Sequence, residues 1–196
     1  RGLGDVYKRQ LLYTATRVSH PMAIRYPRNH TSLSCPPQKM EEIPVGRGEL
    51  LREGRDVTIL AVGTMSYAAL LAARALAELG IEATVINVRY VKPLDSELIA
   101  KVSRSSGRVL TVEENVLAGG FGSAVAQLLH STGLDGIRIR SIGINDQYVE
   151  HGPQDILRSR FGLDAPGIIS KIIEFFPELN ARIGDRPFAV AGQTVI

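Results

Sequence analysis

This sequence of 196 residues contains one cysteine and no long hydrophobic run, and both absences narrow the range of possible proteins. A lone cysteine, Cys35, rules out an internal disulfide framework and fits a reducing compartment. No apolar run approaches the ~20 residues that span a bilayer, and no signal peptide is recognisable. The sequence therefore predicts a cytoplasmic protein that does not enter a membrane.

The sequence also lacks a cluster of charges of one sign: the formal net charge is only +3, and the basic residues are scattered along the chain. Nucleic-acid-binding proteins usually gather such residues on one face or one helix. Arg138 and Arg140 alternate along one predicted strand, which is typical of its solvated face. Apolar residues make up 44% and charged residues 22%, the balance of a folded globular chain. We expect no nucleic-acid partner.

The central part of the sequence alternates strand and helix signals. Apolar runs with β-branched residues predict buried strands, and apolar residues at helical spacing predict amphipathic helices. The predicted strands are 57–62, 83–88, 108–112 and 137–144, and the predicted helices are 66–79, a helix capped by Asp95, 121–133, 153–160 and 168–176. Such alternation implies right-handed β-α-β units. The predicted fold class is α/β, with a mostly parallel sheet of about five strands and helices on both faces.

The ends of the sequence carry weaker signals. Residues 1–10 show neither helical nor strand periodicity, and we interpret them as a leader that is not native. Residues 22–26 alternate like a short strand that Pro27 ends. The predicted organisation is the end of a preceding domain over 11–34, a linker over 35–55, the main domain over 56–177 and a loosely attached tail over 178–196.

Several loops after predicted strands hold candidate site residues, because open α/β sheets place their ligand sites there. The glycine-rich segment 119–122 does not match a phosphate-binding loop, since no Gly-Lys-Ser/Thr follows and two acidic residues precede it. A turn that lets the next helix pack closely on the sheet is the favoured interpretation. Lys92 and Asp95 invite a catalytic interpretation, but helix capping alone accounts for Asp95.

The adjacent carboxylates Glu113 and Glu114 are candidates for acid-base chemistry. Because neighbours in a strand point to opposite sides, we expect one to face a helix N-terminus and the other a partner subunit. His151 is chemically versatile and lies beside Glu150, but a lone histidine is more often a polar loop residue. No second His or Cys stands at a ligand spacing, so no metal site is predicted.

Arg25 and Arg28 flank a rigid Tyr26-Pro27 pair and form the strongest candidate site. The planar guanidinium group suits phosphate recognition, whereas ion pairs at a domain interface are the alternative. The predicted site is therefore Arg28 and Arg25 for substrate binding, with His151 and Glu114 as possible additions and no catalytic residue assigned.

Eight segments, in this order, resemble the 1-deoxy-D-xylulose-5-phosphate synthase branch of the transketolase family. They are AIRYPR at 23–28, IPVGRG at 43–48, GTM at 63–65, VRYVKPLD at 88–95, TVEEN at 111–115, GGFGS at 119–123, EHG at 150–152 and FGLDAPGI at 161–168. The resemblance implies a domain like the transketolase C-terminal domain, preceded by the end of a pyrimidine-binding domain. It extends from residue 11 to about residue 176.

The same resemblance implies an enzyme that joins pyruvate to glyceraldehyde 3-phosphate with loss of carbon dioxide, for isoprenoid, thiamine and pyridoxal precursors. It implies thiamine diphosphate and Mg²⁺ as cofactors and a homodimer, and Arg28 resembles the arginine that holds the sugar phosphate. The cofactor motifs are absent from this sequence, so we expect the chain to be inactive alone. The alternatives are the C-terminal domain of a transketolase or of a two-oxoacid dehydrogenase β subunit, or a non-catalytic α/β interaction module.

Overall fold

The computed structural model describes residues 5–26, 40–183, 188–190 and 193–195, in which strands and helices alternate along the chain. The strands are β1 (Glu49–Arg52), β2 (Val57–Ala61), β3 (Ala83–Asn87), β4 (Arg108–Val116), β5 (Arg138–Ile144), β6 (Phe188–Val190) and β7 (Gln193–Val195). The helices are α1 (Asp5–Ala15), α2 (Met65–Glu78), α3 (Ser96–Ser106), α4 (Phe121–Ser131), α5 (Gln154–Arg160), α6 (Ala165–Phe175) and α7 (Pro177–Ile183). None of the helices in the described ranges has the length and apolar character that a bilayer crossing needs.

The main sheet has five strands in the order β1-β3-β2-β4-β5. β2, β3, β4 and β5 are parallel to one another, and β1 runs antiparallel to β3. The predicted fold class is confirmed. The edge strand β1 lies in the segment that the sequence assigned to a linker, and its pairing satisfies backbone groups of β3 that would otherwise face solvent.

Helices cover both faces of the sheet, because buried strand residues alternate between two hydrophobic clusters. Ile59 of β2 belongs to the cluster that α2, α6 and α7 complete, whereas its neighbour Leu60 points to the cluster formed with α3 and α4. The first cluster is lined by alanines of α2 and by Ile168 and Ile172 of α6. This two-sided burial explains why the strands are almost continuously apolar in the sequence.

Two helix starts follow local capping rules. The carboxylate of Asp95 accepts a hydrogen bond from the N–H of Leu98 at 3.1 Å, as its predicted capping role requires. Asp164 accepts from the N–H of Gly167 at 2.8 Å at the start of α6. Both caps satisfy donors that the first helical turn leaves without an intrahelical partner.

Two expectations of secondary structure in the N-terminal segment are wrong, whereas the interpretation of residues 1–10 as a non-native leader stays a prediction. Residues 5–10 belong to α1, because the run from Lys8 to Leu12 consists of good helix formers and continues into a helix that Thr14 anchors. Residues 22–26 form no strand. Their alternation is insufficient because a strand is stabilised by a paired neighbour, and none of the described strands pairs with them.

The prediction of a loose tail directly after Pro177 is also wrong. Residues 177–183 form α7, whose Leu179 and Ile183 are buried in the first hydrophobic cluster. A seven-residue helix is too short to show a clear helical period, so only its packing reveals it. The rest of the tail contains the β6–β7 hairpin.

Candidate functional site

The carboxyl ends of β2, β3, β4 and β5 meet at one edge of the sheet, which we call the carboxyl edge. The chain leaves β2 toward β3 on one side and returns to β4 on the other, so the topological switch point lies between β2 and β4. Open α/β sheets bind ligands in the crevice at this point. A ligand-binding site is therefore expected in the loops after β2 and β4.

Three side chains span the switch point, and we call them the switch-point cluster. Thr64, just after β2, donates its hydroxyl to Oε2 of Glu114 near the end of β4 at 2.7 Å. Arg158 of α5 donates Nε to Oε1 of Glu114 at 2.7 Å and Nη2 to Oγ1 of Thr64 at 3.3 Å. The chain thus bridges its own crevice with a half-buried ion pair, and a ligand there would have to displace it.

The other carboxylate of the pair, Glu113, is fully buried beneath the N-terminus of α4. Its Oε2 accepts from the N–H of Phe121 at 2.9 Å and its Oε1 from the N–H of Gly122 at 2.8 Å. A helix N-terminus is a natural binding site for an anion, and here the chain supplies that anion itself. The prediction that one of the two glutamates faces a helix N-terminus is confirmed.

The glycines beside Glu113 are required by close packing. A Cβ on Gly120 would lie 2.4 Å from the carbonyl oxygen of Val116 and 2.7 Å from Oε2 of Glu113. A Cβ on Gly122 would lie 2.4 Å from Oγ of Ser141 on β5. These distances support the prediction of a turn that packs α4 tightly on the sheet, and the Glu113 carboxylate occupies the space that a bound phosphate would need.

The loop after β3 joins the sheet to the N-terminal part of the chain. The N–H of Ile43 donates to Oγ1 of Thr14 at 2.9 Å, and the carbonyl of Ile43 accepts from the Tyr90 hydroxyl at 3.0 Å. Burial raises the pKa of Tyr90, so its hydroxyl keeps the proton that it donates. Asp95 also accepts from the N–H of Gly48 at 3.0 Å, which confirms a structural role for this carboxylate.

The loop after β5 places His151 in solvent. Residues 145–153 are all exposed, and the neighbouring Glu150 lies 3.7 Å from Arg160 in an exposed ion pair. Glu114 and His151 both belong to the carboxyl edge, but Glu114 contacts Arg158 and Thr64 of its own chain. Sequence reasoning missed Arg158, because its partner is 44 residues away and no local spacing marks the pair.

The predicted phosphate-binding arginines lie at the limit of the described ranges. Arg28 lies outside the described residues, and so does Pro27. Arg25 is exposed, and the exposed ring of Tyr26 lies under the ammonium group of Lys8 at 4.1 Å from the ring centroid. The described residues therefore leave the phosphate-binding role of Arg25 and Arg28 as a prediction.

The residues that the structure describes do not fit thiamine diphosphate with Mg²⁺. They contain no group of three or more His, Cys, Asp and Glu side chains arranged to hold a metal ion. The helix N-terminus of α4 at the carboxyl edge, which could otherwise receive a phosphate group, is already filled by Glu113. We therefore derive no chemical step through this cofactor from the described chain.

Comparison with known proteins gives a consistent result. The family model "Transketolase, C-terminal domain" matches residues 46–168. The 1-deoxy-D-xylulose-5-phosphate synthase 1 of Geobacter sulfurreducens is 51% identical over 173 residues, which are 88% of this chain and 27% of that protein. The synthase of Desulforudis audaxviator is 46% identical over 159 residues, which are 81% of this chain and 25% of that protein.

A solved structure is also similar to this chain. It is a "Split gene transketolase, inactive beta4 tetramer", and it matches with a TM-score of 0.64 at 38% identity over 70% of this chain and 44% of that chain. The chain spans about a quarter of the length of the curated relatives it matches.

Proposed function

The chain belongs to the transketolase C-terminal domain family, and on this premise we propose that it is the C-terminal part of a 1-deoxy-D-xylulose-5-phosphate synthase. The observation that carries the proposal is 44–51% identity to several proteins of this name, over 81–88% of the chain. In this proposal the longer protein uses thiamine diphosphate and Mg²⁺ to join pyruvate and glyceraldehyde 3-phosphate with loss of carbon dioxide. It works in the cytoplasm as a homodimer.

A transketolase is the second candidate. The similar solved structure is a split-gene transketolase, and its 38% identity exceeds what fold similarity alone requires. The two candidates differ in the substrates of the longer protein rather than in the architecture of this domain. Substrate use therefore discriminates between them.

The proposed role of this chain is assembly and substrate binding rather than catalysis. The described residues offer no donor set for the metal, and both charged residues of the switch-point cluster are engaged with each other. The similar split-gene transketolase structure is named an inactive tetramer, which supports assembly without activity for this chain. We propose that the isolated chain makes no product.

Arg28 is the proposed contact for the phosphate of glyceraldehyde 3-phosphate, with Arg25 beside it. A phosphate dianion is bound well by the two parallel donors of a guanidinium group. His151 and Glu114 stay secondary candidates, because His151 is exposed and Glu114 already pairs with Arg158.

A chimera tests the activity. Residues 11–196 of this chain replace the corresponding C-terminal part of the Geobacter sulfurreducens relative, and product formation is measured with pyruvate and glyceraldehyde 3-phosphate. We expect activity with these substrates and none with ketose donors. The upstream part of the chimera comes from a synthase, so a folded chimera that forms no product would contradict the synthase assignment of this chain.

Substitutions in the chimera test the arginines. Arg28→Ala should raise the KM for glyceraldehyde 3-phosphate, with a loss of about 2–5 kcal/mol if a buried charge pair is broken. Arg28→Lys should recover only part of the loss, because an ammonium group lacks the planar fork. Arg104→Ala, at an exposed arginine in the last turn of α3, is the matched control. An unchanged KM in Arg28→Ala would return this residue to the interface ion-pair interpretation.

Calorimetry on the isolated chain tests the inactivity. Titration with thiamine diphosphate and Mg²⁺ should give no binding heat, and no product should form. Micromolar binding would contradict the assignment of the cofactor site to the rest of the longer protein.

A further inference from the structure

A group of exposed apolar side chains lies at the carboxyl edge. Tyr148 is fully exposed, and Ile156 and Tyr67 are each about 60% exposed. Val116 and Val149 are each more than one third exposed. Scattered exposed apolar residues are ordinary, but a group on elements that meet at one edge indicates an interaction surface.

The segment that carries most of this surface is held out from the core. Residues 145–153 are exposed throughout, and α5, which follows, has no buried residue. A polar anchor fixes this helix, because Arg158 bonds to Glu114 and Thr64 across the switch point. The surface is therefore presented in a defined position without being buried in its own domain.

The charge of the surface restricts what it binds. The acidic residues of the segment 145–156 are Asp146, Glu150 and Asp155, and the segment contains no lysine or arginine. Arg160, just beyond it, pairs with Glu150 at 3.7 Å, so the segment keeps a net negative charge. Interfaces pair an apolar centre with a polar rim of complementary charge. The fitting partner surface is thus apolar with a basic rim, and two copies of this acidic surface would repel each other.

The N-terminal part of the described chain leads toward the same edge. Hydrogen bonds link Thr14 to Ile43 and Ile43 to Tyr90, which follows β3 at the carboxyl edge. About three quarters of the relatives' length lies outside this chain, and the chain matches their C-terminal portion. Additional polypeptide attached before this segment would be tethered close to the exposed surface.

We propose that Tyr67, Val116 and residues 145–156 form a docking surface for the upstream, cofactor-binding part of the longer polypeptide, which presents an apolar patch with a basic rim. The proposal rests on the proposed function, since it takes its partner from the longer enzyme. The exposed Tyr148 is the central anchor, because aromatic residues dominate the energetics of such contacts.

Hydrogen exchange in the chimera tests the docking without relying on activity. The amides of 145–156 should exchange at least about tenfold more slowly in the chimera than in the isolated chain, because docking removes them from solvent. The double substitution Tyr148→Ser and Ile156→Ser should restore fast exchange. Leu50→Ser is the matched control, since Leu50 is 42% exposed on β1, the outer strand farthest from β5. This substitution should leave the exchange rates of 145–156 unchanged.

Three results would overturn the proposal. One is equal exchange of 145–156 in the chimera and in the isolated chain. Another is protection in the isolated chain that increases with its concentration, because a second copy would then be the occupant. The last is a double variant that stays as protected as the parent chimera.

The test separates this proposal from the proposed function. A folded chimera in which 145–156 are protected but no product forms would overturn the proposed function and leave the docking proposal standing. An active chimera in which 145–156 are unprotected would overturn the docking proposal and leave the proposed function standing. If the chimera does not fold, the upstream part of the relative, produced separately, is titrated onto this chain and the same exchange is measured.

Discussion

The two edges of the main sheet are built differently. At the amino edge, Glu178 of α7 pairs with Arg108 and Arg138 at the starts of β4 and β5, and Arg182 pairs with Asp56 just before β2. At the carboxyl edge, a nine-residue exposed loop and a helix without buried residues are held by the switch-point cluster.

This difference separates stability from binding. The chain closes its amino edge with ion pairs between its own side chains and with the buried residues of α7. Its carboxyl edge stays open, at the end of a parallel sheet where α/β folds place their functional loops. We therefore expect substitutions at the amino edge to affect the free energy of unfolding, and those in exposed carboxyl-edge loops to affect docking.

The largest expected loss of stability comes from Glu113, a buried residue at the carboxyl edge. It tests whether this edge is stabilised by a buried carboxylate beneath its exposed loops. Glu113→Ala leaves the buried N–H groups of Phe121 and Gly122 without an acceptor, and each such donor costs about 1–3 kcal/mol. Urea unfolding should show a loss of roughly 2–6 kcal/mol. Glu114→Ala is the control and should lose much less, since the Glu114 side chain is partly exposed; equal losses would contradict the capping role.

The next largest effect is expected at the amino edge. Leu179→Ala removes a buried side chain of α7 from the first hydrophobic cluster and should lower the free energy of unfolding by about 3 kcal/mol. The exposed neighbour Asn180 provides the control, because Asn180→Ala should leave denaturant unfolding nearly unchanged. If Leu179→Ala were equally harmless, α7 would be a loosely attached tail after all.

A smaller effect is expected in the switch-point cluster. Arg158→Ala breaks a partly buried ion pair and should cost about 1 kcal/mol of stability. Limited proteolysis should cut residues 145–160 faster, because α5 has no buried residue to hold it in place. Arg160→Ala removes a guanidinium that is largely exposed and should leave the cleavage rate unchanged. A resistant Arg158→Ala would show that packing alone fixes α5.

The smallest effect is a pH dependence at the amino edge. Hydrogen bonds from Arg138 and then Arg108 lower the pKa of Glu178 from 4.5 to about 2. A lowered pKa in the folded state stabilises the fold above about pH 4.5, and this contribution disappears as the pH falls toward 2. Because the side chain is 38% exposed, solvent screening should keep the contribution below about 1 kcal/mol.

Unfolding measured from pH 6 to pH 2 checks this contribution. Glu178→Gln should be less stable than the parent near neutral pH and should approach it in acid. Asp56 contributes in the same range: burial acts to raise its pKa, but the N–H of Glu82 and the guanidinium of Arg182 outweigh burial and lower it. The difference between parent and variant isolates Glu178, and a constant difference across the range would contradict its lowered pKa.

Elements with a long apolar pattern in the sequence were predicted correctly, whereas elements that depend on a distant partner were not. The predicted strand over 57–62 and the predicted helix over 66–79 agree with β2 and α2. A strand that is buried on both faces of a sheet needs a continuous apolar run, and the helix that packs on it needs an apolar stripe, so both leave a clear sequence pattern. The strand expected at 22–26 is absent, since alternation over five residues does not provide a neighbouring strand.

The site shows the same division. The capping role of Asp95 was predictable, because a cap lies within a few residues of the helix that it serves. The sequence also predicted that one of Glu113 and Glu114 faces a helix N-terminus, and the structure identified it as Glu113. The contact of Arg158 with Glu114 was not predictable, because the two residues are 44 positions apart and either side chain alone resembles an ordinary surface charge.

The sequence by itself determined the α/β class, the order of the main strands and helices, and the family, because periodic burial and the order of short motifs are properties of a linear chain. Only the tertiary structure decided that Glu113 fills the anion site of α4, that Arg158 bridges the switch point and that α7 closes the amino edge. These contacts join side chains distant in the sequence or depend on packing, and their energies exist only once the sheet has brought the partners together.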